Sequence, residues 1–121
     1  MTVARPRATA FMDEIAKSIP EARAVVQATR REQGEVLPHI EMAELTRWAI
    51  ESIRTNPKPT TNDAVLRLLE MLERRFQDGD QDVDDLIGTS FLENLGQAGD
   101  DIDLMTRVLP DKLSAWYLAS L

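Results

Sequence analysis

The chain contains no cysteine, and its one histidine, His39, has no second soft ligand near it. Disulfides, thiolate nucleophiles and cysteine-based metal sites are thereby excluded, and no HExxH pair or nucleophile elbow occurs. Such usage fits a reducing, cytoplasmic setting. Apolar runs stop after a few residues, so no segment reads as a membrane span. Met1 to Ala10 carries Arg5 and Arg7 without an apolar stretch behind them, unlike a secretory leader. Strict apolar/polar alternation is also missing, which argues against strands. Between Phe76 and Thr106 there is neither lysine nor arginine.

What is present is enough for one domain. A chain of 121 residues with 43% apolar content buries roughly 65% of its unfolded surface and supports a single core. Residues 1–7 read as a flexible lead-in and 8–121 as one helical domain. Phe11, Ile15 and Ile19 recur at helical spacing and predict a helix over about 8–18. Pro20 suits the first position of a second helix, to about Gln33, where Gly34 is a natural stop. The third is expected over His39 to Thr55, with Met42, Leu45, Ala49 and Ile53 within about 80° of arc and Glu44, Arg47 and Glu51 opposite.

Asn56-Pro57-Lys58-Pro59 is a loop because two prolines remove donors and fix φ. A fourth helix is expected from Thr61 or Asn62 as cap, with Val65, Leu68, Leu69, Leu72 and Phe76 inward and a Glu70–Arg74 surface pair. A fifth runs from about Asp82, the expected cap, to Leu95. Its core positions are Val83, Leu86, Ile87, Phe91 and Leu95, with Leu92 on the far side. Two more cover about 101–109 and 111–121. The expected class is all-α: an irregular bundle or a HEAT-like stack of about seven short helices.

A net charge of −7 disfavours nucleic acid and anionic membranes and favours basic partners. The segment Phe76–Thr106 concentrates that charge, with Asp78, Asp80, Asp82, Asp84, Asp85, Glu93, Asp100, Asp101 and Asp103 and no compensating base. A calcium loop needs a glycine at its sixth position and a glutamate at its twelfth; counted from Asp78 these are Val83 and Thr89, so no metal is expected. No cofactor motif is found. Trp48 lies about 120° from the stripe of helix three, beside Glu41, Glu44 and Ser52. Tryptophan in such a place is either a flanking packing residue or an interface anchor. The candidate partner-binding residues are thus Asp80, Asp82, Asp84, Asp85, Asp100, Asp101, Asp103, Trp48, Glu44 and Glu51. His39 reads as a residue bonded to backbone at a helix start, and Asn94 as a residue that ties down carbonyls or a loop.

The segments Leu37-Pro38-His39 with Leu45-Thr46-Arg47-Trp48, and Ser90-Phe91-Leu92-Glu93-Asn94-Leu95, resemble a family of small bacterial helical proteins over about residues 11–118. Members of that family look like the immunity proteins encoded beside polymorphic and contact-dependent toxins. The resemblance implies a cytosolic, non-catalytic antitoxin that occludes one toxin domain, and it supplies no catalytic residues; the chain's acidity would suit a basic toxin such as a nuclease. The alternative expectation is a HEAT-like adaptor or regulatory domain without enzymatic activity.

Overall fold

In the computed structural model the described residues are 6–95 and 102–120, and they form helices joined by short loops. The order is α1 (Pro6–Ser18), α2 (Pro20–Gln33), α3 (Pro38–Thr55), α4 (Ala64–Arg75), α5 (Gln81–Asp85), a π-helical stretch (Leu86–Leu92), α6 (Glu93–Leu95), α7 (Ile102–Val108) and α8 (Asp111–Ala119). From α5 through α6 the chain is one unbroken helical run, so the described residues make seven helices and no strand. No helix among them is long and apolar enough to cross a membrane.

Proline and glycine set the boundaries as expected. Pro20 and Pro38 occupy the first turns of α2 and α3, where their missing N–H costs nothing. Gly34 ends α2 in the left-handed region at φ 71°, and its N–H reaches the Arg30 carbonyl. Helix α4 starts later than expected. Its N-cap is Asp63, whose Oδ2 accepts from the Thr60 N–H at 2.8 Å and from Asn56 Nδ2 at 3.2 Å, folding the proline loop back on itself. Glu70 and Arg74 form no pair among the described residues. Arg75 instead pairs with Glu14 at 2.6 Å and lies over the Phe11 ring at 4.9 Å, clamping α1 to α4.

Helix α3 is the hub. It packs against α1, α2, α4, the π stretch, α6 and α7. A linear stack gives each helix only its neighbours, so this is a bundle, and the HEAT-like alternative is not formed. The inward stripe Met42, Leu45, Ala49 and Ile53 is fully buried, meeting Phe11, Ile15, Phe91 and Leu95 in one core.

The π stretch is the main departure from regular geometry. A π turn reaches back five residues instead of four, as the Glu93 N–H does to the Gly88 carbonyl. The wider turn changes the angular phase of the residues after it. Leu92, expected on the far side, is therefore fully buried with Leu86, Ile87, Gly88, Ser90 and Phe91, and only Thr89 of the stretch is exposed.

Candidate protein-binding hollows

The acidic segment begins as a helix start. Asp80 has extended backbone angles, and its Oδ1 accepts from the N–H groups of Asp82 and Val83 at 3.1 and 3.3 Å. Asp80, not Asp82, is thus the cap: Gln81 already has helical geometry, which puts Asp82 inside the first turn. Asp84 Oδ1 accepts from the Gln77 N–H at 2.7 Å. That bond holds a turn in which Gln77 takes φ 59° and Gly79 φ 93°, both in the left-handed region. Gln81 donates to Asp85 at 3.2 Å. Asp78 and Asp82 make no ion pair among the described residues, and Asp103 stands exposed in the first turn of α7. Asp100 and Asp101 lie outside the described residues.

Two of these carboxylates line a hollow together with an aromatic ring. A hollow of about 260 Å³ is lined by Asp84, Asp85, Gln77, Gly88 and Trp116, with no lysine or arginine among the described residues of its wall. Trp116 is half-buried and meets Phe76 edge-on, with centroids 6.4 Å apart and an interplanar angle of 80°. Gly88 leaves the indole room: a Cβ there would stand 3.6 Å from its Cζ2. Helix α8, which carries the ring, is capped from α4. Glu73 accepts from the N–H groups of Lys112 and Leu113 at 2.8 and 3.1 Å, and Lys112 Nζ donates to the Phe76 carbonyl at 2.6 Å. From periodicity alone Trp116 is only a core residue of the last helix. Its juxtaposition with Asp84 and Asp85 depends on packing between α4, α5 and α8, which periodicity does not report.

A second hollow, of about 440 Å³, lies at the other end of α4. Trp48 and Glu51 line it, joined by Glu21 from α2, Asp63 from the α4 cap and Pro59 from the loop. Trp48 is half-buried against the core, so it is both packed and presented. Again no lysine or arginine is found among the described residues of the wall. Glu44 does not join this hollow; it pairs with Arg47 on its own helix. Glu51 pairs with Arg54 at 2.8 Å, an exposed i,i+3 contact. A third groove, of about 480 Å³ between α1 and α4, mixes Arg67, Arg74 and Arg75 with Glu14 and Glu70, so its charges largely cancel.

The buried polar groups are structural. Glu41, expected on the flank beside Trp48, is fully buried. Its carboxylate accepts from Arg30 Nε and Nη2 at 3.0 and 3.1 Å and from the Leu37 N–H at 3.2 Å. Arg30 also reaches Asp13 at 2.9 Å. The hydrogen bond to Glu41 raises the guanidinium's affinity for its proton despite partial burial. His39 Nδ1 lies 2.5 Å from Ser90 Oγ, a side-chain contact that links the start of α3 to the π stretch. The Ser90 carbonyl accepts from Asn94 Nδ2 at 2.7 Å and from Thr46 Oγ1 at 3.1 Å. Asn94 thus ties down a carbonyl, as expected. Among the described residues, no group of three or more histidines and carboxylates is placed to hold a metal ion.

No curated protein and no solved structure matches the chain. A family model does match, over residues 12–121, which is nearly its whole length: the chain belongs to the family described as a domain of unknown function, DUF7674.

Proposed function

We propose that the chain is an immunity-type inhibitor, a cytosolic protein that binds and neutralises a basic toxin domain. The observation that carries this reading is the hollow in which Asp84 and Asp85 stand beside the half-buried Trp116 ring with no basic residue among those described in its wall. An aromatic face with carboxylates around it suits a cationic side chain, and aromatic residues in partly desolvated hollows are the usual anchors of protein interfaces. Asp78 and Asp82, neighbours in sequence of the hollow's Gln77, Asp84 and Asp85, add negative charge that attracts an approaching cation. The resemblance of the Leu37–Trp48 and Ser90–Leu95 segments to relatives of immunity proteins points the same way. So does a net charge of −7.

The test asks first whether the gene beside this chain's own encodes a secreted protein with a basic C-terminal domain, whose absence would count against the reading, and then measures association kinetics against that domain. Replacing Asp84 and Asp85 together by asparagine slows association and flattens its dependence on ionic strength, because charges at the edge of an interface act mainly on encounter. An unchanged rate and salt slope, with the fold intact by circular dichroism, would refute the role of this surface. Failure of the wild-type chain to bind or inhibit that domain would refute the immunity reading.

A further inference from the structure

We infer that the Trp48 hollow is a receptor for an arginine side chain of a partner protein. The inference rests on the basic-partner reading, but it concerns a separate surface. The two hollows adjoin opposite ends of α4, whose twelve residues span about 18 Å. A partner held at both would present two cationic side chains at that separation.

The charged side chains that line the hollow are carboxylates, with the arginines that pair with two of them standing outside the wall. Glu21, Glu51 and Asp63 supply three carboxylates from three separate elements, and no lysine or arginine stands among the described residues of the wall. The apolar part is Trp48, Pro59 and Val65. At about 440 Å³ it falls within the range of about 300–1,000 Å³ typical of sites that take a small organic group. An indole face attracts a cation electrostatically, and tryptophan does so best among the aromatic residues. Arginine fits better than lysine because its planar guanidinium stacks on the ring while its fork of N–H groups reaches carboxylates at the edge.

The carboxylates are positioned unequally for this role. Asp63 is fixed by the Thr60 N–H and Asn56. That fixes the loop bearing Pro59 and leaves Asp63 as a stationary negative charge. Glu21 and Glu51 are exposed and hold surface pairs, Glu21 with Arg67 at 3.4 Å and Glu51 with Arg54 at 2.8 Å. Exposed pairs of this kind contribute little and yield readily to a better-placed cation. The site therefore needs no rearrangement of the core to bind.

The test uses a hexa-arginine peptide blocked at both ends, with hexacitrulline as its uncharged isostere, against the full chain. The indole N–H resonances of Trp48 and Trp116 are assigned from Trp48→Phe and Trp116→Phe. Hexa-arginine is expected to shift the Trp48 resonance saturably, and hexacitrulline is not. The double variant Glu21→Gln/Glu51→Gln alters only exposed side chains, and it is expected to weaken the affinity read at Trp48 by about tenfold. The triple variant Asp78→Asn/Asp82→Asn/Asp103→Asn is expected to weaken it by less than about threefold, through long-range screening alone. An unmoved Trp48 resonance, equal binding of hexacitrulline, or an unaffected double variant would each overturn the inference. If Trp116 alone responds and the triple variant abolishes that response, the Trp48 receptor is refuted while the basic-partner reading stands. If neither indole responds, both are refuted.

Discussion

Among single residues, Arg30 and Glu41 make the sharpest energetic case. Glu41 is wholly buried, and its charge is tolerable because three donors surround it, two of them from Arg30. Arg30→Ala leaves that carboxylate with the Leu37 N–H alone. Chemical denaturation is expected to show a loss of about 3–5 kcal/mol, whereas the double change Arg30→Met/Glu41→Leu recovers most of it. A double variant as unstable as the single one would mean that the charge itself, not its pairing, is needed. Periodicity could not identify this pair. A glutamate beside an apolar stripe reads as solvated unless its partner, eleven residues earlier on another helix, is known. Asp80 provides a smaller test. Asp80→Ala removes a cap that serves two N–H groups and is expected to cost about 1 kcal/mol, with Asp82→Ala costing less. Tyr117 gives a pH dependence. Burial pushes its phenol above the ordinary value of 10.0, so above that pH the unfolded chain releases the proton first. This group's contribution to stability is therefore intact below pH 10 and lost as pH rises beyond it. Tyr117→Phe is expected to narrow the stability difference between about pH 9 and about pH 11 in denaturant titrations.

The elements differ in how much of them the sequence revealed. α1 to α3 were legible because one apolar stripe at helical period, bounded by Pro20, Gly34, Pro38 and the Pro57–Pro59 loop, states both the helix and its ends, whereas α4 was legible as a helix but not in its Asp63 cap. The run from Gln81 to Leu95 was legible as a helix but not as a π-containing one. Its side-chain phase follows its packing on α3, where the Ser90 carbonyl also accepts from the Thr46 hydroxyl, and periodicity does not report such packing. The hollows were half legible. Trp48 and Glu51 are marked by their place on α3, but Glu21 and Asp63 reach the same hollow only through tertiary packing. The π stretch predicts an asymmetry at Gly88. Alanine there meets Trp116 at ordinary contact distance, so Gly88→Ala is expected to change stability by no more than about 1 kcal/mol. Gly88→Leu has no room beside the indole and is expected to cost about 1–3 kcal/mol and to alter Trp116 fluorescence. Equal melting temperatures for the two variants would show that the ring does not rest on Gly88.

For the whole molecule, the arrangement around α3 decides how the chain unfolds. In a stack, each repeat holds only its neighbours and ends can melt first. Here one helix contributes Met42, Leu45, Ala49 and Ile53 to a core shared by almost every other element, so its loss removes the common contact surface at once. The least direct attachment is that of α8, which is held through α4 by Glu73, Lys112 and the Phe76–Trp116 contact. The two tryptophans sit at the informative places: Trp48 on the hub and Trp116 on α8. Single-tryptophan variants, Trp116→Phe and Trp48→Phe, therefore report separately on each. In urea the fluorescence transition of each is expected to coincide with its own far-ultraviolet circular dichroism transition, as two-state unfolding of a small domain requires. Glu73→Ala is expected to uncap α8 at a cost of about 1–2 kcal/mol. If α8 is part of the cooperative unit, that variant lowers both midpoints of each single-tryptophan chain together. If instead the Trp116 signal moves to lower urea while circular dichroism holds its midpoint, α8 opens as a local unit. The hollow beside Asp84 and Asp85 would then be a surface whose aromatic wall forms and dissolves independently of the bundle, and binding there would have to include the cost of ordering α8.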